Sequence, residues 1–175
     1  MSYSMSRASL PALKLGLAAL SSLLDKTSAF CAARNIDASV ILQSRLAPDM
    51  FAFVRQVQLA TDQAKNGAAR LAGVEPPHYE DNETTIEQLK TRIDATIGYL
   101  ETLDPVRIDA SEHREIIFPL GPSAKGSMKG DDYIAQFVLP NFYFHLSTAY
   151  AILRHCGVEI GKRDFLGAIS VTPVS

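Results

Sequence analysis

An apolar stretch in the last third of the chain constrains the fold more than any other feature. Read as a helix from Asp131 to Cys156, it carries apolar side chains nearly all round and leaves no broad polar face. A helix of this kind has to be enclosed by other helices, so the sequence predicts an all-α fold in which a four-helix bundle surrounds this segment. Gly157 ends the helix, because glycine readily adopts the left-handed conformation of a C-terminal cap.

A proline and a short row of polar side chains interrupt this helix. Pro140 cannot donate to the carbonyl of Gln136, so we expect a kink. Asn141 and His145 lie about 40° apart on the helix at about 100° per residue, and Thr148 follows on the same flank. These side chains predict a small polar pocket in otherwise apolar walls.

Length and composition indicate an ordinary soluble domain. The chain has 175 residues, 47% of them hydrophobic and 21% charged. This length suits a single domain, placed at residues 1–168, with a loose C-terminal tail at residues 169–175. A formal charge of -2 without a basic block offers no electrostatic footprint for nucleic acid, so we expect no such partner.

The cysteines and the N-terminus bear on the cellular compartment. Cys31 and Cys156 are too few for a disulfide framework, which favours a reducing, cytoplasmic location. The apolar run 15–24 imitates a secretory signal, but Lys14 interrupts it and Asp25 separates it from any cleavage site. No apolar run is expected to reach transmembrane length, so no membrane association is predicted.

Three further helices precede the apolar one. Leucines at alternating steps of three and four mark the first helix, a proline followed by aspartate opens the second, and the capping-box form Thr-Thr-Ile-Glu begins the third. The predicted bounds are Ser6 or Ser9 to Arg34, Pro48 or Asp49 to Gly73, and Thr84 to Asp104. One helical turn is possible between the first two helices, at Ala38 to Ser44.

The second helix has two polar surfaces with different interpretations. Gln56 lies on a flank that is at least half buried, where an amide needs partners. Arg55, Gln58, Asp62 and Lys65 form an outer stripe that we expect to be solvated.

The connection before the last helix carries structure of its own. Residues 106–130 are too many for a simple turn between helices. Glu115 to Phe118 resembles a short strand, and the following Gly121 and Pro122 supply a turn, which predicts a small β-hairpin over one end of the bundle.

Metal binding is the sharpest chemical hypothesis for the last helix, because ligands four residues apart share a helix face. His145 is a good ligand and Asn141 a poor one, while His78, His113 and His155 are out of phase with them. The alternative is a hydrogen-bonded structural histidine.

Nucleophilic catalysis is disfavoured, because Cys156 and the neighbouring His155 point to different sides of a helix. A cluster at Lys162, Arg163 and Asp164 could bind an anion, but an exposed charge cluster or a contact between subunits fits it better.

Several motifs resemble a known family. They are LPNFYFH at 139–145, YAILRHCG at 150–157, IGKRDFLG at 160–167, LAPDM at 46–50 and ARLAG at 69–73. Together they are similar to a bacterial domain of unknown function, the one numbered nineteen ninety-three, within the DinB/YfiT-like superfamily of four-helix bundles.

The resemblance implies a site as well as a fold. Better-known superfamily members bind a divalent metal through a histidine on the second helix and a His-x-x-x-His pair on the last. Aligned by the arginine and glycine that follow the pair, Asn141 takes the first position and His145 the second, and Gln56 is the best-placed polar residue on the second helix. The resemblance thus implies a degenerate metal site in which His145 remains the metal ligand.

The sequence leaves three functions open, and with them the question of catalysis. The first is a homodimer that binds a small molecule at Gln56, Asn141, His145 and Thr148 without established catalysis. No cofactor is expected, although weak zinc or nickel binding is possible. The resemblance also implies a metal- or thiol-dependent transferase, and the third function is a structural or partner-binding dimer.

Overall fold

The computed structural model describes residues 4–121 and 123–172 and is mostly helical, with one small antiparallel sheet. The elements in chain order are α1 Met5–Arg34, α2 Ala38–Leu42, α3 Phe53–Ala72, α4 Ile86–Thr102, α5 Pro105–Asp109, β1 Glu115–Leu120, β2 Ala124–Lys129, α6 Gly130–Asp132, a π-helical segment Tyr133–Val138, α7 Leu139–His155 and α8 Lys162–Leu166. The long helices pack on one another around a single apolar core, with α3 lying along α7 and α4.

The leucine seam of α1 is buried as the sequence predicts. Leu13, Leu17, Leu20 and Leu24 are each 0% exposed. By length and composition α1 also meets the criteria for a membrane span, contrary to the expectation that no apolar run would do so. Half of its most apolar window is buried within the protein, and core helices of soluble proteins meet the same criteria, so this is weak evidence for a membrane.

The bounds of α3 and α4 differ from prediction in one respect. α3 begins at Phe53 rather than at Pro48 or Asp49, because residues 47–50 form a turn and the Phe53 amide donates to Ser44 at 2.9 Å. Gly73 caps α3 with φ of 66°, and the capping box of α4 is present at Thr85 and Gln88. The turn of helix expected after α1 is also present, as α2.

The connection before the last helix holds the hairpin that the sequence predicts. β1 and β2 pair antiparallel from Glu115 opposite Lys129 to Leu120 opposite Ala124. At its base, Gly130 lies so close to the backbone of Ser111 that a Cβ there would fall 2.1 Å from the Ser111 oxygen. Glycine is therefore required where the hairpin joins the last helix.

The last helical run, Gly130–His155, is irregular near Pro140. The Leu139 amide bonds to Ile134 five residues back, so a π-helical segment accommodates the proline, which lacks a donor. The expectation that this helix is fully enclosed is wrong, because Phe144 is 58% exposed and Tyr143 38%. Of the predicted tail, residues 173–175 lie outside the described residues.

Candidate functional site

His145 lies on the face of α7 that meets α3. Its side chain is 8% exposed, although its neighbour Phe144 is largely exposed. A polar ring in such a position needs a hydrogen-bond partner to offset the loss of water. The partner is the side chain of Gln56 on α3, itself 2% exposed.

The bond between these two side chains determines where the imidazole carries its proton. His145 Nδ1 lies 2.8 Å from Gln56 Oε1, and Gln56 Nε2 donates to the carbonyl of Phe51 at 3.1 Å. The opposite amide orientation would set two oxygens against each other at Phe51, so the hydrogen-bond network assigns the amide as it stands. Oε1 is therefore the acceptor, and Nδ1 carries the proton.

The other ring nitrogen, Nε2, remains available. In a neutral imidazole with its proton on Nδ1, Nε2 has a lone pair and no hydrogen. Across residues 4–121 and 123–172, every polar side-chain atom closed off from solvent has a hydrogen-bond partner. Nε2 has none in the protein, so it reaches solvent as an acceptor at the edge of the core.

Burial keeps the ring neutral. Loss of water lowers the pKa of His145 from 6.5 to about 4, and the positive charge of Arg55 acts in the same direction. Arg55 lies one residue before Gln56 on α3 and is itself paired with Asp81. At neutral pH the site therefore offers an uncharged nitrogen lone pair.

Asn141 and Thr148 share the flank of His145 but are bonded within their own helix. Asn141 Nδ2 donates to the carbonyl of Phe137, and the Thr148 hydroxyl donates to that of Phe144, each at 2.7 Å. Neither side chain is hydrogen-bonded to His145. Of the four predicted pocket residues, the structure joins Gln56 and His145 directly.

Exposed aromatic residues lie near the His145–Gln56 pair. The Phe144 ring stands edge-on to the imidazole with centroids 5.2 Å apart. Phe51, whose carbonyl holds the Gln56 amide, is 59% exposed. Five cavities in the described parts of the chain lie elsewhere, and none of them is lined by Gln56, Asn141 or His145.

The donor set does not fit a tight transition-metal site. Gln56 Oε1 is occupied by Nδ1–H, and the amide oxygen of Asn141 is a weak ligand for zinc or nickel. Within the described residues, three side chains of metal-ligating type lie close enough to share one ion only at Glu112, His113 and Asp131, which are exposed beside the hairpin. This second cluster was not expected from the sequence.

A buried ionic cluster on α3 was also missed. Arg92 of α4, whose side chain is 2% exposed, pairs with Asp62 at 2.9 Å, Asp81 at 2.8 Å and Glu83 at 3.0 Å. Lys65 lies beside Asp62 and donates to the carbonyl of Pro77. We refer to Arg92, Lys65, Asp62, Asp81 and Glu83 as the Arg92 cluster.

The Arg92 cluster overturns the prediction that the outer stripe of α3 is solvated. Gln58 and Lys65 are each 4% exposed, since the loop at residues 75–83 and α4 cover them. Burial raises the pKa of Asp62 and lowers that of Lys65. The alternating acids and bases of the stripe indicate ion pairing. The sequence does not show which residues pair with them, because Arg92 and the loop through Pro77 lie far along the chain.

Comparisons with known proteins agree with this fold. No curated protein gives a significant match. The chain is similar to the crystal structure of a DinB family member protein from Shewanella denitrificans, with 37% sequence identity and a TM-score of 0.88, over 97% of this chain and 95% of that one. The family model described as "Domain of unknown function (DUF1993)" matches residues 5–166, and the chain therefore belongs to that family.

Proposed function

We propose that this protein is a four-helix bundle that binds a small molecule at Nε2 of His145. The observation that carries the proposal is the state of this ring: it is nine-tenths buried, held by Gln56, and left with one nitrogen that has no hydrogen-bond partner within residues 4–121 and 123–172. Because Nε2 reaches solvent, a ligand can bond to it, and the largely exposed Phe144 ring beside the imidazole gives such a ligand apolar surface to cover.

The site is better suited to binding than to catalysis. Nucleophilic and acid–base mechanisms need a second reactive group within hydrogen-bond reach of the histidine. The one partner of His145 is an amide, and the hydroxyl of Thr148 is bonded to its own helix. The donor set likewise favours at most weak zinc or nickel binding.

The proposal includes an assembly and a compartment. Exposed Phe51 and Phe144 give the surface near His145 an apolar character that supports a homodimer. The two thiols, Cys31 and Cys156, are free, which supports a location in the reducing cytoplasm. The family match over residues 5–166 supports the proposed single domain, residues 1–168. Light scattering on the untagged protein would test the dimer, and a monomer at all concentrations would refute it.

Imidazole NMR tests the binding proposal. In protein labelled with 15N-histidine, a panel of small neutral and charged fragments should include members that shift the Nε2 resonance of His145 at about 1 mM or less. His155→Gln, which removes an exposed ring from the same helix, is the matched control and should leave this shift unchanged. If no fragment shifts the His145 resonance, the proposed function is wrong.

A further inference from the structure

We infer that the ligand at His145 is a neutral hydrogen-bond donor, a hydroxyl or an N–H group on an apolar or aromatic body, rather than an anion or a metal ion. This inference rests on the proposed function and specifies the chemical class of the ligand. It follows from which atoms at the site are already donating.

The proton of the neutral His145 ring already makes a hydrogen bond to Gln56. Gln56 Oε1 holds Nδ1–H at 2.8 Å, and the Phe51 carbonyl prevents the amide from turning over. The nitrogen facing outward can therefore accept a hydrogen bond but cannot donate one. A ligand has to bring the hydrogen.

Thr148 and Asn141, which share the flank of His145, also present oxygen atoms. The Thr148 hydroxyl donates its one hydrogen to the Phe144 carbonyl. The Asn141 amide donates to the Phe137 carbonyl, and its Oδ1 has no partner in the described chain, so that oxygen also reaches solvent. Thr148 retains acceptor lone pairs only, and Asn141 presents its Oδ1 beside the one amide N–H that Phe137 does not use, so acceptors outnumber donors on this flank of α7.

The atoms and charges around Nε2 disfavour both an anion and a metal ion. A carboxylate at Nε2 would oppose one acceptor with another, so an anion gains no hydrogen bond from the imidazole. A metal ion would meet the positive charge of Arg55, which already acts on the imidazole, and would find one nitrogen ligand. An uncharged donor avoids both costs.

The exposed Phe144 ring favours a ligand with an apolar or aromatic body. The edge-on Phe144 ring lies next to the imidazole and is more than half exposed. An apolar or aromatic group beside the donor would cover this ring and gain the contact that aromatic pairs make. Phenol is the simplest probe with both features.

The first experiment compares phenol, anisole and benzoate by titration against the 15N resonances of His145. Anisole keeps the ring of phenol but lacks the hydrogen. We expect phenol to bind about tenfold more tightly than anisole, the size of one hydrogen bond, and benzoate to bind no better than anisole. Equal affinity of phenol and anisole, or tighter binding of benzoate, would overturn the inference while the binding function stands. If none of the three binds while another member of the fragment panel shifts the His145 resonance, the inference is wrong and the proposed function stands. If no fragment shifts that resonance, both are wrong.

A variant reverses the chemistry of the site. Gln56→Glu places a carboxylate on Nδ1–H, which favours the protonated ring and turns Nε2 into a donor. The ligand preference should then change from phenol to benzoate, whereas the control Gln63→Glu, with the same charge change on α3, should keep the wild-type preference. An unchanged preference in a folded Gln56→Glu protein whose 15N spectrum shows a protonated His145 ring would contradict the inference. If the ring stays neutral because the glutamic acid keeps a proton for the Phe51 carbonyl, the comparison of phenol with anisole in the wild-type protein decides. If that variant does not fold, the comparison of phenol with anisole in the wild-type protein still decides.

The claim that His145 does not bind a metal ion is tested with Zn²⁺ alone in the His113→Ala variant. This variant removes the imidazole from the exposed group formed with Glu112 and Asp131. We expect the His145 resonances to remain unchanged by zinc under conditions in which phenol shifts them. Binding of zinc at Nε2 more tightly than phenol would overturn the inference in favour of a metal site.

Discussion

Gln56 and His145, 89 residues apart in the chain, join α3 to α7 through a hydrogen bond of 2.8 Å between two buried side chains. The pair has a structural role as well as the proposed binding role. It satisfies the buried Nδ1–H of the imidazole, and it selects the ring nitrogen that faces outward.

The structural role of the pair predicts a loss of stability when Gln56 is replaced by an apolar residue. Gln56→Leu leaves the Nδ1–H group without an acceptor, which should lower the free energy of unfolding by roughly 1–3 kcal/mol. Gln63→Leu on the same helix should cost about 0.5 kcal/mol or less, because no hydrogen bond of Gln63 is lost. Urea denaturation measures both, and equal losses would contradict the role assigned to Gln56.

Acid should destabilise the protein through His145. Its pKa is about 4 in the folded protein against an ordinary value of 6.5, so the unfolded chain binds more protons between these values. The free energy of unfolding should therefore decrease as the pH falls, by about 2 kcal/mol between about pH 7 and about pH 5.

The matched control for this pH dependence is His145→Gln, which lacks the titrating ring. Lowered pKa values at Asp81 and Glu83 add a loss of stability only at more acidic pH, below their ordinary values of 3.8 and 4.5. The raised pKa of Asp62 is present in both proteins. The difference between wild type and variant thus isolates His145, and parallel pH profiles would contradict the account.

The Arg92 cluster predicts a large effect of removing its central cation. Arg92→Met leaves Asp62, Asp81 and Glu83 together without their shared partner, which should cost about 3 kcal/mol or more. Arg7→Met, which removes an exposed arginine from α1, should change stability by about 0.5 kcal/mol or less. Thermal and urea unfolding would show the contrast, and similar values for the two variants would argue against a structural role for the cluster.

Two helical glycines predict opposite effects of the same substitution. A Cβ at Gly67 on α3 would lie 2.5 Å from a methyl carbon of Val138, whereas a Cβ at Gly98 on α4 would meet nothing within 4 Å. Gly67→Ala should therefore destabilise by about 1–3 kcal/mol through overpacking. Gly98→Ala should stabilise by about 0.5–1 kcal/mol through helix propensity. A shift in the same direction for both would contradict the close approach of α3 to the last helix.

Local sequence patterns were sufficient for much of the fold. The leucine seam of α1, the capping box at Thr85 and the glycine cap at Gly73 are set by neighbours in the chain, and each prediction is confirmed. The hairpin was also predicted, from one strand-like segment, Glu115 to Phe118, and the turn residues that follow it. The burial of Gln56 followed from its position on the apolar flank of α3.

The errors concern contacts between distant parts of the chain. The charged stripe of α3 looks solvated on its own, and Lys65 becomes buried only because the loop through Pro77 and Arg92 of α4 covers it. The enclosure expected of the last helix failed at Phe144, since helical periodicity does not reveal where a covering helix stops. Asn141 lay on the predicted flank, but a bond to its own helix kept it from His145.

A pH titration of the two ring nitrogens of His145 by 15N NMR tests most directly whether Gln56 holds the ring neutral with its proton on Nδ1. We expect the proton to remain on Nδ1 and the ring to stay neutral down to a pKa of about 4. A pKa near the ordinary value of 6.5, or a neutral form with its proton on Nε2, would show that Gln56 does not set the state of this ring and would contradict the proposed site.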